Sequence, residues 1–184
     1  MNRSGISRRT GAGLLVLALV VLSLTGCGRL QSGREVKAGL RLALPEAELL
    51  DVETGTRSDR RYHFRRYTID HQGVIFTYEN YQSADFFFGV TTASSEHDYC
   101  KQLFARFSQE IEAIEEQYGV EAEAWGGSIS LSNEIVRMED IEAGAQALDA
   151  LYRLLEDYLP RTALPWLPVE LKLWTQYGVP RCIL

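Results

Sequence analysis

Nine of the chain's 19 aromatic residues fall within 27 residues, from Tyr62 to Phe88. Together with interspersed Val, Ile and Thr, that density fits a pleated surface. Three runs, Tyr62–Ile69, Val74–Tyr81 and Phe86–Thr92, are separated by turn-like Asp70-His71-Gln72-Gly73 and Gln82-Ser83-Ala84-Asp85. They predict an antiparallel meander. Strand alternation sends Phe87 opposite to Phe86 and Phe88. Either both sheet faces are covered, or one carries an aromatic platform for a glycan or a partner. Core packing with cross-strand pairs is the simpler arrangement.

Past Thr92 the period changes. Cys100, Leu103, Phe104, Phe107, Ile111, Ile114 and Tyr118 recur at three- and four-residue spacing, the apolar face of one long helix. Ser95 with Asp98 three residues on fits its start, and Gly119 its end. Glu110, Glu112, Glu115 and Glu116 form a solvated stripe. Trp125-Gly126-Gly127 reads as a turn and Ser128–Leu131 as a short strand. A second helix is expected over Glu139–Tyr158, burying Ile141, Ala145, Leu148, Leu151, Tyr152 and Leu155, with Pro160 beyond it. Pro165-Trp166-Leu167-Pro168 is a stiff connector. Along Val169–Tyr177, Val169, Leu171 and Leu173 face one way, Glu170 and Lys172 the other, as in a half-buried strand.

Upstream of the meander, Leu40–Val52 with Pro45 reads as a strand, a break and a second short element, and Glu53–Arg60 as a polar loop. The order of elements predicts an α+β fold: a mostly antiparallel sheet, the meander plus later strands, with two amphipathic helices packed on one face. Trp125 and Trp166 are the best candidates for exposed aromatics.

At the N-terminus, Arg3, Arg8 and Arg9 precede an apolar run starting at Leu14, with no acid before Glu35. Gly11, Gly13 and Ser23 interrupt a stretch already short of the ~20 apolar residues that a permanent span needs. A basic start, an apolar centre and small residues before a cleavage point make a secretory signal peptide. Ser7-Arg8-Arg9 holds an arginine pair, but Gly11 and Ala12 follow it in place of apolar residues, so the pair reads as an ordinary basic start. The run ends in Leu24-Thr25-Gly26-Cys27, which resembles the lipobox of bacterial lipoproteins. That resemblance covers residues 1–27.

It implies removal of the peptide before Cys27 and acylation of its sulfur. Stable anchoring takes two acyl chains, which a diacylglyceryl group supplies on one residue. The implied organisation is a signal peptide over 1–26, the acylated cysteine and a short tether over 27–36, and a single globular domain over 37–184. The implied location is the extracytoplasmic face of the cell membrane. In a Gram-negative envelope the outer membrane is indicated, because Gly28 is not the aspartate associated with inner-membrane retention.

The first 26 residues hold three arginines and no acid, so the other 158 carry 16 basic and 25 acidic residues, a net charge of −9. One hydrophobic core suits that length. The acidic balance excludes general nucleic-acid binding, which leaves a basic footprint. It also keeps the domain off an anionic membrane except where basic residues cluster. Besides Cys27 the chain has Cys100 and Cys182, a candidate disulfide in an oxidising compartment or else two separate buried thiols.

No nucleophile elbow, phosphate loop, H-E-x-x-H or dinucleotide glycine pattern is present. No cysteine pair has thioredoxin-like spacing. His63, His71 and His97 have carboxylate neighbours in Asp70, Glu96 and Asp98, but the spacing matches no metal site, so surface histidines are expected and no cofactor is called for. The sharper feature is Arg57, Arg60, Arg61, Arg65 and Arg66, five arginines within ten residues. Arginine forks suit phosphate and carboxylate, so these are candidate anion-binding residues, for lipid headgroups, a wall polymer or an acidic partner. The competing arrangement is a solvated loop and strand whose arginines are neutralised by the many glutamates of the helices. Taken together, the chain reads as a membrane-anchored binding or interaction domain with an envelope protein or anionic polymer as partner. A small envelope hydrolase with a dispersed His/carboxylate site is the alternative.

Overall fold

A computed structural model describes residues 29–57, 62–84, 91–134, 137–175 and 180–183. The fold is α+β, with two four-stranded sheets and four helices among the described residues. Helix α1 (Gly33–Ala43) leads into β1 (Ala47–Arg57), β2 (Tyr62–His71), β3 (Val74–Ala84) and β4 (Thr91–His97), an antiparallel meander in chain order. Helices α2 (Tyr99–Arg106) and α3 (Ser108–Tyr118) follow, then the hairpin β5 (Glu121–Trp125) and β6 (Ser128–Asn133). Helix α4 (Met138–Leu155), extended by a 3-10 turn over Glu156–Tyr158, crosses over to β7 (Glu170–Thr175), which pairs parallel to β6. Strand β8 (Pro180–Ile183) closes the second sheet antiparallel to β7.

Several sequence expectations change. Residues 33–36, expected in the tether, open α1. Ser32 caps it: its Oγ accepts from the Glu35 amide at 3.3 Å, and the Glu35 carboxylate accepts from the Ser32 amide at 2.6 Å. Both bonds satisfy helix-end donors that have no partner within the helix. Leu40–Ala43 is therefore helix, and the strand expected before Pro45 is absent. Residues 53–57 belong to β1 instead of a loop. Of the third aromatic run, 86–90 lie outside the described residues, and the strand is Thr91–His97. Ser95 sits on that strand, so it does not cap a helix. Asp98 occupies the N-cap position of α2, and its carboxylate accepts from the Thr77 amide at 2.6 Å and from Gln102 Nε2 at 2.9 Å.

The long helix is broken at Phe107 (φ −103°, ψ 23°), whose ring meets Tyr158 edge-on at 5.1 Å. Gly119 ends α3 as expected, at φ 66°. The single sheet becomes two because α2 and α3 carry the chain away from β4, and the crossover through α4 builds a second sheet around β6. On α4 the buried face is Gly144, Ala147, Leu148, Leu151 and Leu155, whereas Ala145 and Tyr152 are exposed.

One apolar core joins the layers. Tyr67, Ile69, Phe76 and Tyr78 contribute from the meander, Ile129, Leu131, Leu171 and Leu173 from the second sheet, and Leu103, Ile111, Leu148 and Leu151 from the helices. Trp166 is a core residue instead of an exposed one, 9% accessible, with its ring 4.6 Å from Tyr78. It lies across Gly39 of α1, where a Cβ would stand 3.0 Å from the indole. Among the described residues no helix is long and apolar enough to cross a membrane.

Candidate functional site

The residues singled out by sequence do not converge. His63 and His71 stand at opposite ends of β2 and His97 ends β4. His63 is exposed, with Nδ1 3.0 Å from Thr56 Oγ1. His71 is buried, with Nδ1 2.6 Å from the Tyr99 hydroxyl, which donates to the Tyr158 carbonyl at 2.7 Å. The single Tyr99 proton is used there, so the network assigns the His71 proton to Nδ1. Burial holds the His71 pKa below its ordinary value. Burial also lowers that of His97, whose ring nitrogens make no well-formed hydrogen bond. Among the described residues no group of three His, Cys, Asp or Glu could hold a metal.

The arginines are largely engaged. Arg66 donates to Glu79 at 2.7 and 3.1 Å and to Glu53 at 3.0 Å, and Arg57 lies 3.6 Å from the same Glu79 carboxylate. Glu79 is 4% accessible, so two guanidiniums neutralise a buried acid. Arg65 donates to the Gln31 carbonyl at 2.9 Å. Arg60 and Arg61 lie outside the described residues. The neutralising carboxylates come from neighbouring strands, not from the helices. Cys100 is a free, fully buried thiol whose pKa is pushed up to about 12 by desolvation. The Cys182 side chain and Cys27 lie outside the described residues.

A different surface assembles polar and aromatic groups. Along β6, Ile129 and Leu131 point into the core, so Ser128, Ser130 and Ser132 share the outer face. Pairing places Trp125 and Glu170 beside Ser128, Glu123 and Lys172 beside Ser130, and Trp174 beside Ser132. The result is a shallow groove of about 660 Å³ floored by hydroxyls, with the two indoles at diagonal corners. Trp125 is 72% exposed. Gly126 (φ 56°) turns the chain directly after it, a backbone state that glycine adopts at little cost. The Gly127 carbonyl accepts from the Glu170 amide at 2.9 Å and ties the turn to β7.

The groove's polar groups are held in place. Trp174 Nε1 donates to Ser130 Oγ at 3.1 Å, and Lys172 Nζ lies 2.6 Å from Glu170 Oε2. An indole presents a flat apolar face beside a polar edge. Two of them flanking hydroxyls, carboxylates and an ammonium suit a ligand with both C–H faces and hydroxyl groups. Sequence reasoning found Trp125 but missed Trp174 and the serines. The signal was present in two alternating strands, Ser128–Leu131 and Val169–Tyr177, whose outer faces become one surface only when β6 and β7 pair. Comparison with known proteins finds no matching family, no similar curated protein and no similar solved structure.

Proposed function

We propose that this chain is a lipid-anchored protein of the bacterial cell envelope whose α+β domain binds glycan through the face between Trp125 and Trp174. The anchor rests on Leu24-Thr25-Gly26-Cys27 and the signal peptide before it. The single observation that carries the binding reading is Trp125, a large aromatic left 72% exposed at the rim of a hydroxyl-floored groove. Stacking of sugar C–H faces on the indoles would supply affinity. Ser128, Ser130, Glu123 and Lys172 would discriminate among hydroxyl patterns.

Tryptophan fluorescence titrated with solubilised peptidoglycan strands tests the reading. The emission of Trp125 and Trp174 should shift on binding while buried Trp166 stays silent. Trp125→Ala should weaken binding about tenfold, the equivalent of ~1.4 kcal/mol. An unchanged affinity in that variant refutes the face. Mass analysis of the mature N-terminus tests the anchor separately, and an unmodified Cys27 refutes it.

A further inference from the structure

Arg57 and Arg66 are engaged by carboxylates, but a second basic cluster is not. Arg34, Lys37 and Arg41 recur at i, i+3 and i+7 on α1, so they form one stripe along the helix. All three are exposed, and none makes an ion pair or hydrogen bond among the described residues. They rim a groove of about 460 Å³ whose floor is apolar: Ala38 from the helix, Leu49 and Val52 from β1. A second concavity beside it is lined by Arg29 and Arg65. Among the described residues neither is lined by a carboxylate, whereas the serine-floored face carries Glu123 and Glu170. In a domain of net charge −9 the Arg34–Lys37–Arg41 stripe stands out, although Glu35 of the same helix pairs with Arg29 at 3.3 Å and exposed Glu48, Asp51 and Glu53 lie on β1.

Exposed apolar side chains occur on the same two elements, α1 and β1. Leu42 is 71% accessible, Leu50 52% and Val52 43%, three of the seven large hydrophobics left exposed among the described residues. A helix that combines a cationic stripe with exposed leucine at its edge suits an interface between water and an anionic lipid layer. The chain's own geometry brings it there. Gly33 follows Cys27 by only six positions, so the start of α1 lies within about 20 Å of the lipid anchor even with the chain extended. Arg29 follows Cys27 by two residues, within about one Debye length of the headgroups.

We propose that the α1–β1 flank is a membrane-contact surface: Arg34, Lys37 and Arg41 rest on the phosphates of anionic phospholipid while Leu42 enters the headgroup layer. The distance argument rests on the Cys27 anchor. The charge and exposure of the flank do not. Contact would fix which way the domain faces, so the anchor and the basic helix together make a two-point attachment.

The chain contains three lysines, Lys37, Lys101 and Lys172, which makes amine acetylation a direct reporter. The mature protein purified from membranes is placed in vesicles of phosphatidylcholine alone, or with 30 mol % phosphatidylglycerol (roughly one lipid in three anionic). Acetylation of Lys37 is measured against exposed Lys101 of α2. The expected result is retention on both vesicles, with Lys37 shielded only where phosphatidylglycerol is present. In Arg34→Gln/Arg41→Gln the ratio of docked to free domain should fall about thirtyfold, from a factor of about five per basic residue. Leu42→Ser, at a position too exposed to unfold the domain, should weaken docking about tenfold.

Equal Lys37 reactivity on both vesicles overturns the proposal, as does shielding that survives Arg34→Gln/Arg41→Gln. Shielding by soluble glycerol phosphate on phosphatidylcholine vesicles also overturns it, because the site would then take free phosphate and not a lipid surface. Loss of the protein from phosphatidylcholine vesicles is a failure of the anchor reading. In that case, shielded Lys37 on phosphatidylglycerol vesicles still upholds the contact surface, and no association with either vesicle overturns it.

Discussion

Trp125 and Trp166 should separate binding from stability, and the structure sets the size of the difference. A fully buried tryptophan removes about 250 Å² from water, and each Å² is worth about 25 cal/mol. Trp166, 9% accessible, hides nearly all of that area against Tyr78 and α1. Trp166→Ala should cost about 4–5 kcal/mol, near the top of the range for such truncations. Trp125, 72% exposed, hides only about 70 Å², so Trp125→Ala should cost at most about 2 kcal/mol. For a domain of this size each kcal/mol moves the thermal midpoint by about 2–4 °C. Thermal unfolding followed by circular dichroism should therefore show a drop of ~10 °C or more for Trp166→Ala and only a few degrees for Trp125→Ala. Equal losses would mean that Trp125 is packed, and the argument for a free aromatic face would fail.

Other consequences are as specific. Tyr99→Phe removes the hydroxyl that links His71 to the Tyr158 carbonyl and leaves two buried groups without partners; a loss of about 2–4 kcal/mol is expected in urea denaturation. Both His71 and His97 have folded pKa values held below their ordinary 6.5, so the unfolded chain takes up protons first. Stability should be full above about pH 7 and should fall as pH drops through 6.5, levelling off only below the folded pKa values; a flat profile from pH 7.5 to 5 contradicts this. Arg66→Ala strips buried Glu79 of its two closest bonds and should cost about 2 kcal/mol, discounted for the partial exposure of the arginine. Cys100, fully buried with its pKa pushed up to about 12, should resist iodoacetamide at pH 8 in the native protein and react after denaturation.

Elements defined by local period were legible in the sequence. The strands Tyr62–His71 and Val74–Ala84 and the helix Met138–Leu155 follow from alternation and from three- and four-residue spacing. Helix α1 was also readable in principle. Ser32 and Glu35 have capping-box spacing, and Val36, Leu40 and Ala43 lie on one face, but two glycines and a nearby proline hid the pattern. The break at Phe107 was not legible, because the apolar period runs through it. Phe107 also packs against a distant ring, Tyr158, a contact that no local pattern announces.

Sheet partition was equally non-local. Alternation identifies a strand, yet nothing between Ser128 and Thr175 announces that β6 and β7 pair in parallel across α4. The serine-floored face inherits that limit, since Trp125 and Trp174 belong to different strands and become neighbours of one groove only in the folded chain. The pairing of Arg57 and Arg66 was hidden for a related reason. Glu53 and Glu79, which neutralise these two arginines, lie on the two strands that flank β2.

Hydrogen exchange of the folded protein, with and without solubilised peptidoglycan strands, tests the central claim most directly. The account predicts slowed exchange confined to the Trp125-Gly126-Gly127 turn and the adjoining strands, residues 121–133 and 170–175, with loss of that protection in Trp125→Ala. Protection that instead maps to β1 and β2, or none at saturating glycan, would contradict it.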